Sequence, residues 1–336
     1  MSGTLLDGHD VVLFDLDGTV FRGGELVPGA LEAIQEVHRR GIPVRYVTNN
    51  ASKPDQAVVD HLAGLGLDAE RAEVSTSAQA GAAMLAEKLP PGSKVLVVGS
   101  PALVSEVDKA GLVPVSEFAD EPVAVVQGLY TEIGYRDLAE ACLAIRAGAL
   151  WISCNGDRTL PTERGLVPGN GALVALLQAA TDQDPLVAGK PERPLLDRAV
   201  ASAGAEAPLM VGDRLDTDIA GAVNAGMPVL MVLTGVSTTR DLLEATDGLR
   251  PDYVGADLRA LHQSPSEVAI GEQTTWQVRV DSGSLELAAR PGELPGDALS
   301  ALRALCAAWW ATFSGPVAVH SADEHAQDVL RQLGLA

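Results

Sequence analysis

The fold is restricted most by a pair of short apolar runs, far apart in the chain, that each lead into acidic residues beside a glycine. Val11-Val12-Leu13-Phe14 runs into Asp15-Leu16-Asp17-Gly18-Thr19, and Pro208-Leu209-Met210-Val211 runs into Gly212-Asp213-Arg214-Leu215-Asp216-Thr217-Asp218. Runs of this length, rich in β-branched residues and stopped by glycine, read as buried strands. Residues at the carboxyl ends of such strands face the crevice where α/β proteins bind ligands. Asp15 and Asp17 can converge on one small volume, while Gly18 lets the backbone bend and offer N–H groups to an anion. A magnesium ion and a phosphate suit such a cluster. Taken alone, Asp-x-Asp-Gly has an alternative reading as an Asx turn closing a strand. An EF-hand calcium loop is excluded: counted from Asp15, the sixth residue is Val20 rather than Gly and the twelfth is Leu26 rather than Glu.

Strand and helix alternate from the first run onward. Gly23-Gly24 marks a small hairpin flap, and a helix opened at Pro28 carries a stripe of Ala30, Leu31, Ile34 and Val37 before its cap at Gly41. A strand over 43–47 ends in Thr48-Asn49-Asn50 and completes a βαβ unit, which predicts Thr48 beside Asp15 at one sheet edge. Its hydroxyl can donate to a phosphate oxygen without adding charge; a plain strand terminus is the alternative. Helices follow over Val58 to Leu65 and from Ser75-Thr76-Ser77. Strand candidates at 94–98, 123–126 and 149–153, with flanking helices, give residues 77–187 an alternation of their own, that of an inserted α/β domain. The stretches Asn155 to Glu163 and Pro168 to Gly171 are dense in polar and turn residues, as either a substrate-touching loop or a solvated connection.

Gly189-Lys190-Pro191 restarts the first domain. Arg outnumbers Lys nineteen to five, so a lysine there is a minority choice. Asp213 should face the crevice and Asp218 should open the next helix; a solvated acidic helix start is the alternative for Asp216 and Asp218, and the preferred one for Asp216. Further strands are expected at 229–233 and 253–254. The tail reads as strands at 276–280 and 285–289 around Ser282-Gly283, a helix through Leu299 to Trp309, a strand at 316–319 and a helix at 324–333. So small a piece is stable only if it packs on something, and Trp309-Trp310 offers a docking surface within the chain or across a dimer.

At 336 residues the chain fits two domains, or two and a fragment, and 47% hydrophobic against 21% charged residues makes it globular. A net charge of −21 argues against a nucleic-acid or anionic-membrane surface. An anionic substrate would then need a metal or a few placed cations. No apolar run approaches the roughly 18 residues of a membrane span, and Met1-Ser2-Gly3-Thr4 has no signal-peptide character, so a cytoplasmic protein is expected. Cys142, Cys154 and Cys306 are widely spaced and read as buried thiols.

With these stretches in place, the chain resembles the haloacid dehalogenase superfamily of phosphatases. The order Asp15-x-Asp17-Gly18-Thr19, Thr48, Lys190, then Gly212-Asp213 with Asp218 matches that family's pattern. The insert, together with Thr48-Asn49-Asn50, is similar to the p-nitrophenyl phosphatase and phosphoglycolate phosphatase branch. The fold implied is α/β: a Rossmann-like parallel-sheet core (1–76 and 188–265), a large inserted α/β cap domain (77–187), and a small α+β C-terminal region (270–336). That region resembles part of an acetyltransferase fold, but Arg290 to Gly296 does not fit the coenzyme A loop, so support or assembly is expected of it.

The resemblance implies an Mg²⁺-dependent phosphomonoester hydrolase with Asp15 as nucleophile and Asp17 as acid and base. Mg²⁺ would be held by Asp15, the Asp17 carbonyl and Asp213, with Lys190 and Thr48 at the phosphate and Gly18 and Asp218 in support. Asn49, Asn50, Asn155, Asp157 and Arg158 are the remaining substrate-binding candidates. A small polyol phosphate such as glycerol 3-phosphate is the expected substrate, with phosphoglycolate, a sugar phosphate or pyridoxal phosphate behind it, and a homo-oligomer is expected. The readings from other classes are a phosphometabolite sensor without turnover and a phosphomutase.

Overall fold

Val11–Phe14 and Val229–Val232 are strands in which every side chain is buried. A run with no polar side to turn to water belongs in the middle of a parallel sheet covered on both faces. These two lie in the order Tyr253–Gly255, Val229–Val232, Pro208–Gly212, Val11–Phe14, all parallel. Phe14 is in register with Val211, so Asp15 and Gly212-Asp213 leave the sheet at the same edge. The computed structural model describes residues 3–162, 164–281, 283–294 and 296–336. Met1 and Ser2, Glu163 of the polar loop, Ser282 of the tail turn and Pro295 lie outside the described residues. The chain divides into two units, residues 1–44 with 203–336, and residues 45–202.

In the first unit, helix Ala30–Arg39 buries Ala30, Ile34 and Val37 as its spacing predicts, with Ala33 rather than the half-buried Leu31 completing the stripe. The flap is a hairpin of Phe21–Arg22 and Glu25–Leu26. The tail forms a sheet in which Trp276–Asp281 pairs antiparallel with Ser284–Ala289 and Ala318–Ser321 runs parallel to the latter. Its third strand starts two residues later than the sequence suggests, because pairing begins at Ala318 opposite Ser284. Helices Ala298–Trp310 and Glu324–Gln332 complete it. The tryptophans dock inside the chain: Trp309 is 2% exposed, and the Trp310 indole donates to Leu243 O at 3.0 Å.

The second unit holds the parallel pair Val44–Thr48 and Val74–Thr76 and a five-stranded parallel sheet in the order Leu186–Val187, Leu150–Ser153, Ala124–Gln127, Lys94–Val98, Val113–Val115. Alternate strand residues feed two apolar clusters, one containing Val95, Ala124 and Ile152, the other Leu96, Val125 and Trp151. The polar stretch after Ser153 contains a hairpin, Thr159–Thr162 with Gly165–Pro168. Its prolines and glycines hide the strand pattern. Cys154 and Cys306 are buried and Cys142 is partly exposed; burial pushes the Cys154 thiol up to about 12, too weak an acid for a nucleophile at neutral pH.

Two half-buried histidines give the first unit a pH dependence. Burial lowers the pKa of His262, against the opposing pull of Glu36, and lowers that of His9, against Asp10 and Asp252. The folded state therefore favours the neutral rings, and the unfolded chain takes up protons first. Their contribution to stability is complete above the ordinary histidine value of 6.5 and is lost as pH falls below it. Melting temperature should drop by a few degrees between pH 7.5 and 5.5, and His262→Phe should flatten that slope; an unchanged slope in the variant removes His262 as its cause.

Candidate active site

Asp15, Asp213 and Asp218 each place a carboxylate oxygen within 4.8 Å of the others'. Asp213 is fully buried and Asp218 nearly so. Asp15 follows its strand directly, its N–H donating to Val211 O at 2.9 Å. Asp218 comes round on one π-helical turn, Leu215–Ile219. One of its oxygens closes that turn by accepting the N–H groups of Asp213 and Arg214, each at 3.1 Å. Asp213 accepts from the Thr19 hydroxyl at 3.1 Å and from Val236 N–H at 2.7 Å. The Thr234 hydroxyl donates to Gly18 O at 2.6 Å, and Ser237 accepts from Leu215 N–H at 3.0 Å.

Space around this cluster is reserved by glycines. Gly18 sits at φ +97°, and a Cβ there would lie 2.6 Å from Asp213 Oδ2. A Cβ at Gly235 would lie 1.8 Å from the same oxygen. Converging carboxylates, two of them withdrawn from water, are costly without a cation. An all-oxygen donor set of this kind fits a hard divalent ion. Asp17 is exposed, and its carboxylate is not part of the group of three. It occupies a tight turn in which Leu16 O accepts the N–H groups of Thr19, Val20 and Phe21 at 3.3, 2.9 and 3.1 Å. Gly235→Ala should weaken Mg²⁺ binding by about 10- to 100-fold, since it displaces a ligand through its surroundings. Calorimetric titration measures this, and an unchanged affinity would show that Asp213 has room to move.

The second unit gathers Thr48, Asn49, Asn155, Asp157 and Lys190. Lys190 is 1% exposed, and its ammonium donates to Val47 O at 3.1 Å. Asn49 grips the lysine's main chain from both sides: its Oδ1 accepts Lys190 N–H at 2.8 Å and its Nδ2 donates to Lys190 O at 2.9 Å. The same Nδ2 lies 3.2 Å from Asp157 Oδ1, and Asn49 O accepts from Ser77 Oγ at 2.6 Å and from Asn155 Nδ2 at 2.7 Å. Asn155 is thus a framework side chain, its Oδ1 also accepting Asp157 N–H at 3.2 Å. Thr48 Oγ1 accepts Asn50 N–H at 3.1 Å, and Asn50 Oδ1 accepts Ser52 N–H at 2.7 Å. Arg158 is exposed, and its carbonyl accepts Gly169 N–H at 2.9 Å.

Sequence reasoning missed Thr19, Thr234, Gly235, Val236 and Ser237 as neighbours of Asp213. The available signal was a third apolar strand of the same sheet, Val229–Val232, followed by small polar residues and a glycine, the pattern already visible at Asp15 and Asp213.

A family model described as haloacid dehalogenase-like hydrolase matches residues 12–113. A second, HAD-hydrolase-like, matches residues 187–261, and a GCN5-related N-acetyltransferase-like domain matches residues 273–335. Over 336 aligned residues the chain is 48% identical to a D-glycerol 3-phosphate phosphatase of Mycobacterium tuberculosis, covering 97% of this chain and 94% of that protein. The crystal structure of glycerol phosphate phosphatase from that organism, in complex with magnesium, superposes with a TM-score of 0.95 over 100% of both chains at 48% identity. A 4-nitrophenylphosphatase from Thermotoga maritima superposes with a TM-score of 0.72 at 31% identity, over 77% of this chain and 98% of its own.

Proposed function

This chain belongs to the haloacid dehalogenase-like hydrolases, and on that premise we propose that it hydrolyses glycerol 3-phosphate to glycerol and phosphate. It is an Mg²⁺-dependent phosphatase acting on a small phosphate ester. One observation carries the chemistry: the convergence of Asp15, Asp213 and Asp218 at the carboxyl edge of a parallel sheet. The choice of ester rests on the 48% identity to an enzyme of that name.

In the proposed reaction a carboxylate oxygen of Asp15 attacks phosphorus in line, forming an aspartyl-phosphate as the bond from phosphorus to the glycerol oxygen breaks. Asp17 gives its proton to the departing alkoxide. It then takes a proton from the water that attacks phosphorus, which breaks the bond to Asp15 and releases phosphate. Acid and base help of this kind is worth about 10² to 10⁴ in rate. Asp15, the Asp17 carbonyl and Asp213 would hold Mg²⁺, which when bound would supply positive charge to offset repulsion between carboxylate and phosphate. Lys190 adds a compact cation and Thr48 a neutral donor for the phosphoryl oxygens. Asp218 supports Asp213 through the N–H bonds already described.

Residues 77–187 are proposed as the cap and 1–76 with 188–265 as the core. Asp157 and Arg158 would meet the substrate beyond its phosphate, while Asn155 holds Asn49 in place. The 270–336 region supports the core without transferring acetyl groups. Among the described residues no helix is long and apolar enough to cross a membrane; a cytoplasmic homo-oligomer belongs to the same proposal. Phosphate release from a panel of phosphate esters with Mg²⁺ tests the substrate. The highest kcat/KM should fall on glycerol 3-phosphate. A preference for phosphoglycolate, a sugar phosphate or pyridoxal phosphate would replace the substrate and keep the chemistry, and tight binding without release would point to a sensor.

A further inference from the structure

We propose that the C-terminal region positions Asp213, by fixing the short helix that continues from the loop against that carboxylate; this rests on the reading of Asp213 as a metal ligand. The loop is Thr234 to Ser237. Val236 N–H donates to Asp213 Oδ2 at 2.7 Å, Ser237 N–H lies 3.3 Å from Asp213 O, and a Cβ at Gly235 would lie 1.8 Å from the same carboxylate oxygen. The chain then enters helix Thr239–Leu243. A helix of five residues is far below the length that persists unaided, so its place depends on what holds it.

Its N-terminal cap is its own, Thr238 accepting Asp241 N–H at 3.1 Å. Much of the rest comes from the tail. At the start of the helix the Thr239 hydroxyl donates to Leu333 O. The Arg240 guanidinium donates to Val317 O and to Leu335 O, each at 3.3 Å, and is aimed by Glu244 at 3.1 Å. At its end the Trp310 indole donates to Leu243 O at 3.0 Å, and Gly315 N–H to Glu244 O at 3.1 Å. Both ends of the helix are therefore tied to the C-terminal region, and the loop N–H groups on Asp213 lie two to four residues upstream of the ties at Thr239 and Arg240. Releasing them lets Val236 leave Asp213, whose carboxylate then samples other rotamers.

The test uses full-length protein with Arg240→Met, Trp310→Phe, which keeps an aromatic ring and loses the donor, and Thr239→Val, the mildest of the three should another fail to fold. Amide hydrogen exchange in metal-free protein should rise about tenfold across residues 234–237. The Mg²⁺ dissociation constant from calorimetry should rise about three- to tenfold, while substrate KM at saturating Mg²⁺ stays within about twofold. A lower melting temperature with unchanged exchange at 234–237 and unchanged Mg²⁺ affinity would overturn the proposal and leave the tail a purely structural support. Asp213→Asn separates the premise: if it leaves Mg²⁺ affinity intact, the metal-ligand reading fails, whereas the exchange result still decides whether the tail holds the loop.

Discussion

Asp15→Asn is expected to remove turnover, by about 10⁴-fold or more, from a protein that still folds. The amide keeps the size of the carboxylate but is a poor nucleophile. The backbone bond from Asp15 N–H to Val211 O, at 2.9 Å, does not depend on the side chain. Without metal, the variant should melt at or a few degrees above the wild-type temperature, because one of three converging carboxylates is neutralised and their mutual repulsion falls. Added Mg²⁺ should raise its melting temperature less than it raises that of the wild type. Phosphate release and melting curves with and without Mg²⁺ measure all three. Retained turnover would take the nucleophile's role away from Asp15.

Lys190→Met should lower kcat/KM by about 10² to 10³, with weaker binding of inorganic phosphate, and should cost far less in stability. The asymmetry follows from how the residue is held. Its main chain is gripped by Asn49 through bonds of 2.8 and 2.9 Å, which the substitution leaves in place. Removing the ammonium gives up its bond to Val47 O at 3.1 Å, and a bond of this kind is worth roughly 1 to 2 kcal/mol. Lys190→Arg should not rescue activity: the site leaves the lysine 1% exposed, and a planar fork cannot replace a compact ammonium there. Matching losses in stability and phosphate binding would mark Lys190 as a structural lysine.

How much of this could be read in the sequence depended on distance along the chain. Val11–Phe14 and Pro208–Gly212 carry their own signal, being too apolar for anything but a covered parallel sheet, and each points to the acidic residues that follow it. The helix stripe from Ala30 to Val37 is legible for the same reason. The hairpin over 159–168 was not, since its prolines and glycines mimic a loop. Asn49, a substrate-binding candidate by its place beside Thr48, also pairs its amide with the main chain of Lys190, 141 residues away. No local pattern encodes such a pairing. Gly235 and Val236 follow a third apolar strand, Val229–Val232, which marks their place at the sheet edge, but the contact each makes with Asp213 exists only once the sheet forms.

The most direct test of covalent chemistry at Asp15 is a single turnover with labelled glycerol 3-phosphate, quenched in acid within milliseconds and followed by mass mapping of the protein. A phosphoryl adduct on Asp15, absent from Asp15→Asn, is the expected result. Phosphate release with no protein adduct, or an adduct on any other residue, contradicts it.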